Sequence, residues 1–136
     1  IGVGLVGSEM CIRDRDYLSN IDPPTFPDGF DIEIFTFQAL KTANDNTSSS
    51  NDREHVTPFI RENHIFNKVC FRNEVDLSKI RLTLDTEDDL CVMRNVFNFF
   101  APRIDFTLKD VISLYDKKPQ LFKPNSHLSR NYRMEL

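Results

Sequence analysis

The chain has 136 residues, 40% of them hydrophobic and 28% charged, with 17 Lys and Arg against 21 Asp and Glu for a net charge of −4. That suffices for one core of an ordinary soluble protein. It offers no basic block to neutralise nucleic-acid phosphates. Cys11, Cys70 and Cys91 are odd in number and form no CxxC pair, so neither a zinc site nor a disulfide framework is expected, and reduced thiols in a cytoplasmic protein are.

Residues 1–15 read as foreign. Ile1–Met10 is apolar but lacks a basic n-region and is too short to span a bilayer. Gly2, Gly4 and Gly7 spell a dinucleotide loop, yet no strand precedes them. The run Val6 to Asp14 resembles translated adapter text, so this segment is expected to be an assembly artefact; a genomic read continuing through it is the check.

From Asp16 the elements follow in order. Asp16–Asn20 reads as a strand end, and Pro23, Pro24, Pro27 and Gly29 forbid regular structure after it. Ile32, Ile34 and Phe35 predict a strand with the Ile side chains inward and Asp31 and Glu33 on the opposite face. Thr36 can cap a helix through Ala43, which ends in the polar loop 44–51. Asp52 is expected to cap a helix over 53–62, kinked or delayed by Pro58. Strands are predicted over 65–71 and 80–84. Thr86 then caps a helix with an apolar stripe of Leu90, Met93, Val96, Phe97 and Phe100. Thr107 caps another through Tyr115, ended by Pro119, and residues 122–131 read as an ordered loop or arm. Strands alternating with helices indicate α/β architecture, but so few strands cannot bury both faces of a parallel sheet without partners.

Three acidic segments stand out: Pro27-Asp28-Gly29-Phe30-Asp31-Ile32-Glu33, Asp52-Arg53-Glu54-His55-Val56-Thr57-Pro58, and Leu84-Asp85-Thr86-Glu87-Asp88-Asp89-Leu90. Asp85 follows a strand and precedes a helix, where α/β folds place ligand-contacting groups. By spacing alone, Thr86 and Asp89 equally form a capping box and the three acids after Asp85 complement the helix dipole. Asp31 and Glu33 can accept hydrogen bonds from hydroxyls or face solvent. Arg53 can grip a phosphate or carboxylate, or pair with Glu54 on a helix surface; His55 can exchange protons near neutrality, or sit satisfied and part-buried. His64 and His127 have no metal spacing.

In this order the segments resemble the C-terminal half of cytidylyltransferases that make CMP-sugars, similar to the CMP-KDO and acylneuraminate enzymes and, most closely, to the spore-coat polysaccharide branch. The resemblance runs over 16–136. It implies a C-terminal fragment of a nucleotide-diphospho-sugar transferase domain, Rossmann-like with a mixed sheet. Implied too is a nucleotidyltransferase that moves CMP from CTP to a sugar for surface polysaccharide biosynthesis, with Mg²⁺ as cofactor. Asp85 would hold the metal, with Asp31, Glu33, Arg53 and His55 around the sugar. No nucleic-acid or membrane partner is implied, and a homodimer is possible. The family's proline after Asp-Thr is Glu87 here, which leaves the metal role intact. Its nucleotide-binding half is expected to be missing, so this polypeptide alone is expected to be inactive. The alternatives are another nucleotide-sugar transferase on the same fold, or a non-catalytic binding and dimerisation module.

Overall fold

Tyr17–Ser19 forms the short strand β1, which pairs antiparallel with β2, Glu33–Phe35, and parallel with β3, Lys68–Cys70. The resulting sheet has the order β2-β1-β3. These elements come from a computed structural model that describes residues 15–130. The expected artefact segment lies, except for Arg15, outside the described residues, as does the last residue of the expected arm. The chain divides into two units. One joins the residues up to Thr25 with Asp31–Glu74; the other joins Phe26–Phe30 with the residues from Val75 onward.

Among the described residues the first unit carries the sheet and three helices: α1 (Phe37–Asn46), α2 (Ser50–His55) and α3 (Pro58–Glu62). Register sets its faces. Tyr17 lies opposite Phe35 and Lys68, and Ser19 opposite Glu33 and Cys70, so these six share one face. That face packs the core of Tyr17, Ala39, Ala43, Ile60 and Phe66, with Phe35 and Phe59 against it. Alternation in residues 31–35 is therefore inverted from expectation. Glu33 turns toward the helix-covered face, while Ile32 and Ile34 are 55% and 44% exposed. Strand periodicity defines two faces but not which is inward, and two aromatic rings bury more area than two isoleucines.

Thr36 caps α1 as expected, its hydroxyl accepting from the Ala39 amide at 3.1 Å. The helix continues to Asn46, into residues expected to be loop. Ser49, not Asp52, caps α2, and Asp52 instead sits in the first turn and accepts a hydrogen bond from Thr47. The single helix expected over 53–62 is two, broken at Val56 with φ 67°. Pro58 then opens α3 at the first turn, the one helical place where a missing N–H costs nothing. The expected 65–71 strand shrinks to β3.

The second unit contains α4 (Glu87–Phe100), α5 (Leu108–Lys117) and a 3₁₀ turn at Pro119–Phe122. Thr86 and Thr107 each form a complete capping box, with Asp89 and Asp110. Val92, Val96, Val111, Leu114 and Phe122 make the core, with Phe100 and Phe106 stacked beside it at 4.6 Å. The inward stripe of α4 is Asp89, Val92 and Val96, whereas Leu90 and Phe97 are exposed. An ion pair at Asp89, described below, sets the rotation of this helix and displaces the stripe read from hydrophobicity.

The strand expected over 80–84 is reduced to one parallel bridge between Asp28 and Arg81. Its two backbone bonds run from the Asp28 amide to the Ile80 carbonyl and from the Leu82 amide to the Asp28 carbonyl, each 2.8 Å. Gly29 makes that approach possible. Its φ is +99°, and a Cβ there would lie 2.7 Å from the Leu82 carbonyl oxygen. Both objections tell against any side chain, so Gly29→Ala is expected to cost about 1–2 kcal/mol or more in urea unfolding. A neutral result would mean the bridge is not held as described.

Candidate functional site

In the second unit, one cation organises the acidic residues. Arg81 has a side chain 6% exposed; its Nε and one terminal nitrogen donate to the two oxygens of Asp89, both at 3.0 Å. The other terminal nitrogen donates to Asp28 at 2.8 Å, and Asp85 accepts at 3.2 Å. Asp89 is wholly buried and accepts further bonds from the Thr83 hydroxyl, the amides of Asp85 and Thr86, and the Asn125 amide group at 2.8 Å. Burial by itself would raise the Asp89 pKa; the hydrogen bonds from Arg81, Asn125, the Asp85 backbone and Thr83 overrule it and hold the carboxyl well below the usual carboxylate range.

Asp85 occupies the rim of this network. Its side chain is 47% exposed, against 0% for Asp89. The amide of Asp85 is fixed by Asp89 and its carboxylate by Arg81, so a half-exposed carboxylate is presented just before the capped start of α4. Asp28, from the first acidic segment, is spent inside the network and is 6% exposed.

The other sequence-derived site residues all belong to the first unit. Glu33 accepts from the Tyr17 hydroxyl and, at 3.0 Å on each oxygen, from Thr57. Burial first, then the Glu33 hydrogen bond, pushes the Tyr17 phenol above the ordinary tyrosine range. Asp31 is exposed, two residues before Glu33 but outside β2. Arg53 donates to the Asn44 side chain at 2.7 Å and to the Asn44 and Thr47 carbonyls, tying α2 to the end of α1. His55 is exposed at the last residue of α2. Thus Glu33 and Thr57, from two of the motifs, meet directly, and Asp85 stands with Arg81 in the other unit.

Sequence reasoning passed over Arg81, Asn125, Thr57 and Tyr17. Arg81 had a signal: a cation flanked by Ile80 and Leu82, just ahead of a helix that opens with three acids. Asn125 had none, because it lies in a stretch without periodicity.

No protein-family model matches the chain. An uncharacterised protein of Methanocaldococcus jannaschii is 36% identical to it over 109 residues, covering 77% of this chain and 44% of that protein. The solved structure of a cytidylyltransferase from Leptospira borgpetersenii serovar Hardjo-bovis superposes with a TM-score of 0.78 at 31% identity, covering 87% of this chain and 50% of that one. The chain therefore has a mixed α/β fold of the nucleotidyltransferase kind, shared with that cytidylyltransferase. It spans about half the length of the two proteins it matches. No helix among the described residues is long and apolar enough to cross a membrane.

Removing Arg81 would strand the buried Asp89 carboxylate and leave Asp28 only the more distant Arg130, at 4.0 Å. Arg81→Leu is expected to cost about 3–5 kcal/mol, read as a fall in the thermal midpoint. A depressed folded pKa at Asp89 gives stability that is complete above about pH 4, the unfolded value, and is lost as pH falls through the folded value. Acid titration followed by circular dichroism is expected to show the second unit's helices melting below pH 4, and a transition unmoved by Arg81→Leu would contradict the network.

Proposed function

We propose that the chain is the C-terminal part of a sugar cytidylyltransferase, an enzyme that joins CMP from CTP to a sugar hydroxyl with release of pyrophosphate. The observation that carries this reading is the superposition on a cytidylyltransferase over 87% of the chain at 31% identity. Asp85, half exposed where a loop meets a capped helix, adds to it. Polysaccharide biosynthesis as the pathway, a cytoplasmic location and a homodimeric assembly belong to the same proposal.

Asp85 fits a magnesium role of one kind. Among the described residues no three His, Cys, Asp or Glu side chains converge as a cage. Mg²⁺ needs none, since it commonly takes one or two carboxylates, phosphate oxygens and water. When bound, the ion would neutralise charge developing on the transferred phosphoryl group. The residues of this chain supply position. Arg81 and the Asp85 amide contact fix the carboxylate's direction, and the capping box fixes the helix behind it, so Asp85 meets an incoming ligand already oriented. Asp31, Glu33, Arg53 and His55 are assigned to the sugar side of the reaction, with Glu33 held by Tyr17 and Thr57.

Asp85→Asn in a full-length enzyme carrying this chain is expected to lower CTP-dependent pyrophosphate release by about 10²-fold or more. Because Asp85 is half exposed, its ion pair contributes at most about 1 kcal/mol, and the thermal midpoint should barely move. Near-normal release from the variant would defeat the assignment of Asp85.

A further inference from the structure

On the first unit, the face of the sheet that carries Tyr17 and Ser19 opens into a cleft of about 220 Å³ beside α3. Its walls come from the parallel pair β1 and β3 and from Arg61. Register puts the side chains of Ser19, Lys68 and Cys70 on the same face as Tyr17. Parallel strands in α/β folds bind ligands near their carboxyl ends, and Ser19 and Cys70 are the last residues of β1 and β3.

The charges of the cleft are unequal. Among the described residues two cations line it, Arg61 and Lys68, against one carboxylate, Asp22, which is exposed. Glu33 lies on the same sheet face, but its oxygens are engaged by Tyr17 and Thr57. Lys68 donates to the carbonyls of Arg61 and Asn63, which fixes its ammonium at the end of α3. Arg61 is different: among the described residues its guanidinium has no hydrogen-bond acceptor or ion-pair partner, although its backbone is held within α3. A half-buried guanidinium beside an anchored ammonium supplies donors that the exposed Asp22 alone opposes in the cleft, the buried Ser19 hydroxyl being engaged with Tyr17.

We propose that this cleft binds an oxyanion, a carboxylate or phosphate group of a small ligand, with Arg61 as its forked donor and Lys68 beside it. At about 220 Å³ the cleft is below the usual range for a whole ligand site, so it takes one anionic group rather than an entire nucleotide. The inference stands apart from the cytidylyltransferase reading, because neither CTP nor turnover enters its test.

The test is direct binding to the 136-residue chain, by isothermal titration at constant ionic strength, of inorganic phosphate in one arm and D-glucuronate in the other. One of the two is expected to bind and so identify the group. Arg61→Gln is expected to weaken that binding about tenfold or more, since a charge-assisted bond is lost. The variant should keep the wild-type thermal midpoint, because the Arg61 side chain has no hydrogen-bond or ion-pair partner to lose among the described residues. Asp22→Asn is expected to tighten binding by removing the opposing charge. Failure of both anions to bind, or affinity unchanged in Arg61→Gln, would overturn the proposal. Since Lys68 supports the end of α3, its substitution is left out of the comparison.

Discussion

The bidentate pair between Arg81 and Asp89 is the constraint on which the second unit depends. Both groups are buried, and a buried ion pair survives only when its remaining donors and acceptors are also met. Here they are. Asp28, Asp85 and the Ser129 carbonyl take the other guanidinium protons, while Thr83, Asn125 and two backbone amides complete Asp89. The network thereby ties together three stretches of chain far apart in sequence, around residue 28, residues 81–89 and residue 125.

Other features follow from that pair. Because Asp89 must face Arg81, α4 turns Val92 and Val96 inward and leaves Leu90 and Phe97 outside. Because Asp28 must reach Arg81, its backbone runs against residues 80–82 closely enough to demand glycine at position 29. Asp85 lies one bond farther out. Its exposure and its fixed direction both derive from a neighbour whose charge is fully occupied, which is how a carboxylate can be oriented yet accessible.

Local chemistry was legible in the sequence and long-range pairing was not. Thr36, Thr86 and Thr107 announce their caps because a cap is decided within four residues. The α/β class and the likeness to cytidylyltransferases were legible from strand–helix alternation and from the three acidic segments. The inward face of residues 31–35 was not, since alternation is symmetric and the choice fell to Tyr17 and Phe35 across the ladder. Nor was the stripe of α4, because hydrophobicity says nothing about a buried aspartate. Of the candidate site residues, Asp85 was singled out by position and motif. Arg53 read as a ligand-binding group, but its hydrogen bonds run to the end of α1. Arg81 and Asn125 required the third dimension: each is ordinary until the residue it meets, 36 or more positions away in the Asn125–Asp89 and Arg81–Asp28 contacts, is known.

Native-state hydrogen exchange at the amides of Asp85 and Thr86 tests the network most directly. Both are held by the buried Asp89 carboxylate rather than by a helix or sheet ladder. If the Arg81–Asp89 pair organises the unit, these two amides exchange only when α4 opens cooperatively, with the same protection and the same denaturant dependence as the Val92 and Val96 amides. Fast, denaturant-independent exchange at Asp85 and Thr86 beside a protected α4 would contradict the account, because it would mean the carboxylate lets go of them while the helix stands.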